Sequence, residues 1–164
     1  MPTAKPVMVA IGFTPYSQGI FNYAAKIATA MERDLLVASV INVRDVEAVR
    51  TISAMGYEVD GEHYISAIRE ERQGLLDRIA TESGFPAERV HARIVLGNPI
   101  DELLRICISE KVEMIVMGTK GRTDLEHILV GSVAEKLFRR APVTVVSFRD
   151  EGQAARLQKR IHLK

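Results

Sequence analysis

Three glycines and the residues around them carry the clearest chemical signal in the chain. Gly118, Gly121 and Gly131 are spaced G-x2-G-x9-G, and Ser132 follows the last of them. An apolar run, Val112 to Met117, leads into this stretch, and a helical pattern begins near Ser132. A strand–loop–helix passage of this kind can hold phosphate. Glycine lets the backbone take positive φ and lets N–H groups approach an anion closely. The start of a helix adds unpaired N–H groups and the positive end of a dipole. Lys120 and Arg122 bring two positive charges, and His127 lies in the same stretch. A plainer reading uses the same residues. Ser132 and Glu135 fit an S-x-x-E capping box, which needs no ligand, and Gly118 and Gly121 can serve only to shape a turn. The glycines alone leave both readings open.

Other chemistry finds little support. No GxxxxGK[ST] occurs, and no GxGxxG follows the first strand. His63, His91, His127 and His162 stand apart from metal-ligand spacings, and no Ser-His-Asp set or carboxylate pair emerges. The run Glu70-Glu71-Arg72 reads as a solvated helix face. Cys107, the one cysteine, falls on an apolar stripe and reads as a small buried hydrophobe. Net charge is +1, from 22 Lys and Arg against 21 Asp and Glu, too even to gather nucleic acid or anionic lipid over distance. No apolar run reaches the roughly 18 residues of a membrane span, and none at the start resembles a signal peptide. The expected compartment is the cytoplasm.

The elements that must position the glycine stretch follow from periodicity. Val7 to Ile11, ended by Gly12, reads as a buried strand, and Ser17 can cap the helix after it. Leu35 to Val43 is a second strand, nearly continuous in apolar residues, as suits a parallel strand covered on both faces. Residues 44–60 read as a connection with a short helix. A helical pattern runs from about Asp60 to Thr81 and is stopped by Ser83-Gly84-Phe85-Pro86. Val90 to Leu96 is a third strand. Asn98 and Pro99 then suit the N-cap and first turn of a helix, with Asp101 and Glu102 favoured by its dipole. Val112 to Met117 and Pro142 to Phe148 complete five strands. Strict alternation of strand and helix implies a parallel sheet with helices on both faces and right-handed crossovers.

At this point a resemblance becomes specific. Ile115-Val116-Met117-Gly118-Thr119-Lys120-Gly121-Arg122, with Ile128-Leu129-Val130-Gly131-Ser132-Val133-Ala134-Glu135, resembles the nucleotide-binding motif of the universal stress protein family. Ala141-Pro142-Val143-Thr144-Val145-Val146 is similar to that family's last strand, and Gly97-Asn98-Pro99 to its turn into the preceding helix. The likeness covers residues 1–148, one domain, and leaves 149–164 as a basic C-terminal tail with five Lys or Arg and two acids. It implies a single-domain α/β fold, adenine nucleotide alpha hydrolase-like: an open five-stranded parallel sheet, order 3-2-1-4-5. Ligands of such sheets sit beyond the strand C-termini where the order reverses, here between the first and fourth strands.

Carried over by position, Gly118, Gly121, Gly131, Ser132 and Val133 would hold phosphates and the adjoining sugar, with Arg122 beside them. Val40 would contact adenine. Ala10 and Gly12 would lie by the base and ribose, and Met117 and Gly97 would line the pocket. The implied ligand is ATP, with or without Mg²⁺, and the implied function is a nucleotide-binding regulatory module of the stress response, at most a slow ATPase. The alternative is an interaction module whose site is empty or takes another ligand. The resemblance also implies a homodimer formed through the strand of Val143, Val145 and Val146. One departure stands out. Related ATP binders carry Asp-Gly-Ser or Asp-Phe-Ser after the first strand, and this chain has Gly12-Phe13-Thr14.

Overall fold

The computed structural model describes residues 4–58, 60–119 and 131–161. In chain order the elements are β1 (Val7–Ala10), α1 (Ser17–Ala30), β2 (Leu35–Asn42), α2 (Val43–Ala54), α3 (Gly61–Ser83), β3 (Val90–Gly97), α4 (Pro99–Ser109), β4 (Met114–Gly118), α5 (Ser132–Arg140), β5 (Thr144–Phe148) and α6 (Glu151–Gln158). The five strands form one sheet in the order β3-β2-β1-β4-β5, with every pairing parallel. This is the sheet expected from the sequence. β1 lies at its centre, with Val9 opposite Val37 of β2 and Val116 of β4.

Alternation along the central strands sends side chains to two cores. Val7, Val9 and Val37 pack with Phe21 and Ala24 of α1 and Leu76 of α3. Met8, Leu36 and Ile115 pack with Leu103 and Ile106 of α4 and Leu137 of α5. Cys107 is buried in this second core, and burial pushes its thiol pKa up. Phe21 has no exposed surface. Truncation of such a ring to Ala typically costs about 3–5 kcal/mol, so Phe21→Ala removes a large part of the stability of a domain this size.

Several helix ends follow their local chemistry. Asn98 caps α4, its Oδ1 accepting from Ile100 N–H at 3.0 Å and Asp101 N–H at 3.3 Å, with Pro99 in the first turn. Gly84 ends α3 in the left-handed region at φ 70°, where a Cβ is disfavoured. Residues 44–60 hold more helix than a short connection. α2 begins directly after β2, where Asn42 Oδ1 accepts from Arg44 N–H at 3.1 Å.

Three expectations are corrected. Ser17 is the first helical residue of α1 and not its cap. Its hydroxyl accepts from Thr14 N–H at 2.9 Å, while Thr14 Oγ1 accepts from Tyr16 N–H at 3.2 Å. The chain turns before α1 through these two bonds and through Phe13, whose φ is 54°. That conformation costs a side-chain residue about 1 kcal/mol, and the Phe13 ring recovers it by packing on the first core. Arg72 is not on a solvated face. It is 4% exposed, Nη1 donates to Ser39 Oγ at 2.8 Å, and the guanidinium lies 5.8 Å from the Phe13 ring centroid. Residues 151–158, read only as part of a basic tail, form α6, closed by a reciprocal capping box between Asp150 and Gln153.

Candidate functional site

The C-terminal ends of β1, β2 and β4 open toward the same side of the sheet. α4 and α5 cover the adjoining face. Between these elements lies a cavity of about 400 Å³, within the range of small-molecule sites. It spans the place where strand order reverses, since β1 is flanked by β2 on one side and β4 on the other.

Most of the residues singled out by sequence come together here. Ala10 and Gly12 reach it from the end of β1, and Val40 from β2. Met117 and Gly118 contribute the end of β4, and Gly131, Ser132 and Val133 the start of α5. Gly97 does not join them. A Cβ there would stand 2.6 Å from Glu102 Cγ, so this glycine makes room for the α4 side chain beside it. Lys120, Gly121, Arg122 and His127 lie outside the described residues.

The start of α5 departs from the capping-box reading. Gly131 is the N-cap, and Ser132 is already helical. The serine is therefore one position too far along to close a box with Glu135, whose N–H bonds the Gly131 carbonyl at 3.0 Å. A glycine cap offers no side-chain acceptor of its own to the first-turn N–H groups. Gly131 has φ −66° and ψ 151°, so positive φ is not what calls for glycine at this position. Its own N–H donates to the Thr119 carbonyl at 2.7 Å, which ties the start of α5 to the end of β4. Thr119 is itself buried.

The walls are mostly apolar. Ala38, Leu103 and Leu137 form the deeper part. Polar side chains sit at the mouth, where Thr14, Asn42 and Asp45 reach the cavity from beyond β1 and β2. The sequence reading missed these three. Asp45 falls in the first turn of α2, where an acid is explained by the helix dipole alone. The available signal was its position just past a strand C-terminus, the edge from which such folds build sites. Among the described lining residues Asp45 is the one with a formally charged side chain.

A second charged group lies at the other end of the sheet. Asp34, before β2, accepts from Arg89 Nε at 3.1 Å and pairs with His91 Nε2 at 2.9 Å. The His91 hydrogen bond, aided by Arg89, holds its carboxyl below the ordinary value against the opposing effect of burial. This cluster pins the starts of β2 and β3 and takes no part in the cavity.

Comparison with known proteins agrees with this fold. The sequence profile of the Universal stress protein family matches residues 3–149. Universal stress protein YxiE of Bacillus subtilis is 30% identical over 149 residues, 85% of this chain and 97% of that protein. Universal stress protein MJ0577 of Methanocaldococcus jannaschii is 25% identical over 152 residues, 87% of this chain and 94% of that one. Its solved structure superposes with a TM-score of 0.73 over 90% of this chain and 97% of that chain, at 23% identity. A universal stress protein solved in complex with cAMP shares the fold at a TM-score of 0.60 and 22% identity, over 90% of this chain and 98% of that one. Among the described residues no helix is long and apolar enough to cross a membrane.

Proposed function

The chain belongs to the universal stress protein family, and on that premise we propose that it is an adenine-nucleotide-binding regulatory module that takes ATP into the cavity between β1 and β4. One observation carries this reading: the glycine-capped start of α5 opens onto an apolar cavity at the reversal of strand order. The helix N-terminus suits phosphate, and the walls formed by Val40, Ala38 and Leu103 suit a base. The relative solved with cAMP supports an adenine nucleotide as the ligand class. Among the described residues no three acidic, His or Cys side chains gather to hold a cation by themselves.

Bound ATP should persist. Among the described lining residues the one charged side chain, Asp45, comes from α2 beyond β2, whereas phosphate is assigned to the start of α5. Turnover should fall well below the common enzyme range of about 1–1000 per second. The direct test denatures purified protein and identifies what it releases by mass, then titrates ATP and cAMP calorimetrically. Co-purified or tightly titrating ATP supports the reading. An empty protein that binds neither nucleotide counts against it and favours an interaction module.

Assembly belongs to the same proposal. β5 is an edge strand, and Val145 and Val146 make it apolar beside Val143. An exposed edge of this kind is usually covered, and a second copy of the chain covers it most simply. Sedimentation at micromolar concentration should give a dimer mass, and a monomer would overturn this part.

A further inference from the structure

The chain continues past the point where the sheet is complete. The family profile ends at residue 149 and β5 at Phe148, and α6 follows at once. Phe148 fixes where it goes. Its ring centroid lies 5.2 Å from that of Tyr23 on α1. It also lies so close to Gly19 that a Cβ there would stand 3.2 Å from Phe148 Cε1. Held at that point, the chain turns at Asp150 and brings the start of α6 to the C-terminal end of β4.

α6 is weak by itself. Eight residues are too few to form a stable helix in water. The face it packs is partly polar: Gln153 is 6% exposed, with Ala154 and Leu157 half-buried beside it. The capping box explains why a glutamine turns inward. Gln153 Oε1 folds back to accept from Asp150 N–H at 3.3 Å, while Asp150 Oδ1 accepts from Gln153 N–H at 2.7 Å. So fixed, Gln153 meets Gly118, Thr119 and Phe148 around a gap that admits no water. Thr119 is the residue whose carbonyl accepts from Gly131 N–H at 2.7 Å. α6, the end of β4 and the cap of α5 thus form one line of contacts, and its last member borders the cavity.

We propose that Gln153 is a positioning residue: docked against Thr119 through α6, it steadies the carbonyl that holds Gly131 and so sets how firmly the start of α5 is presented to phosphate. The consequence for binding rests on the nucleotide reading above. Undocking of α6 loosens the α5 end of the cavity and leaves the apolar wall of Ala38 and Val40 as it was. With little apolar surface to keep it in place, α6 belongs to the low end of local stability. Phosphate affinity is then adjustable from the C-terminus with no change in the sheet.

The test uses two full-length variants, with thermal melting as the control on folding. Gln153→Ala removes the side chain that meets Thr119. Ala155→Pro breaks α6 from its exposed side and leaves Gln153 in the chain. Amide hydrogen exchange of nucleotide-free protein reads the clamp without any ligand. In both variants Gly131 N–H should exchange roughly tenfold faster, the loss of about one hydrogen bond's contribution to local closure, while the amides of β1 keep the parent's rates. Calorimetry then reads the consequence: ATP should bind several-fold more weakly, and adenosine, which has no phosphate, should bind as before. A Gly131 rate that stays at the parent's value, or that rises only in step with β1 as general destabilisation would make it, overturns the role of Gln153. ATP affinity unchanged in both variants, or ATP and adenosine weakening together, overturns its action on the phosphate end. A parent that binds neither nucleotide overturns the nucleotide reading, and exchange at Gly131 still decides whether Gln153 is the clamp.

Discussion

Replacing Gly131 with Val separates a glycine kept for a ligand from one kept for the fold. The backbone there, φ −66° and ψ 151°, is extended and open to any residue, and β-branched side chains favour that region. The conformational cost of Val is therefore small. What the fold loses is a tolerable cap, since Val is a poorer N-cap than Gly, by about 1 kcal/mol. In a chain of this length that lowers Tm by roughly 2–4 °C. Binding should suffer more. The new side chain stands at the mouth of the cavity, beside the first-turn N–H groups of α5. Blocking one charge-assisted bond to phosphate costs about 1.5–3 kcal/mol, or roughly 10- to 100-fold in Kd. Calorimetric titration with ATP and a thermal melt on the same samples compare the two effects. Affinity equal to the parent's would refute the phosphate site. A Tm drop far beyond the cap penalty would mean that the fold itself needs glycine here.

Gly74 lies on the exposed surface of α3, and a Cβ added there would meet no other atom within 4 Å; Gly74→Ala should raise stability by up to about 1 kcal/mol and leave ATP titration unchanged. Arg72→Met leaves the buried Ser39 hydroxyl without its donor at 2.8 Å and should cost about 1–3 kcal/mol. Adding Ser39→Ala should recover much of that loss in urea melts, and a double variant weaker than the single would contradict this account of the pair. The lowered pKa of Asp34 makes its contribution to stability present above the ordinary value of 3.8 and lost as pH falls through the native value. Its side chain is 44% exposed, so Asp34→Asn should cost less than about 1 kcal/mol at neutral pH. The difference from the parent should close below pH about 4, and a gap that widens on acidification would reverse the argument.

The sheet was largely legible because its strands are short apolar runs punctuated by glycine, as at Gly12 and Gly118. Most of the site was legible for the same reason: punctuation at strand ends marks the edge where ligands bind. What escaped were residues with a sufficient local explanation. Asp45 satisfies a helix dipole, so its place at the cavity left no separate trace. Ser132 fits a box in sequence, yet the helix has already begun at the serine, with Gly131 as its cap. Arg72 follows two glutamates, and only the fold reveals that α3 carries it against Ser39. Phe13 is harder still, since positive φ at an aromatic residue has no sequence signal, and the glycine beside it invites the wrong assignment.

The bond from Gly131 N–H to the Thr119 carbonyl bears on how this family member can change over evolutionary time. It joins the end of β4 to the cap of α5 directly, so the register between sheet and helix has an anchor in the backbone itself. A main-chain bond depends on no side chain, so substitutions at either anchor leave it in place unless they remove the donor, as proline at position 131 would. The 2.7 Å bond thus frees the side chains around it to change while β4 and α5 keep their relation.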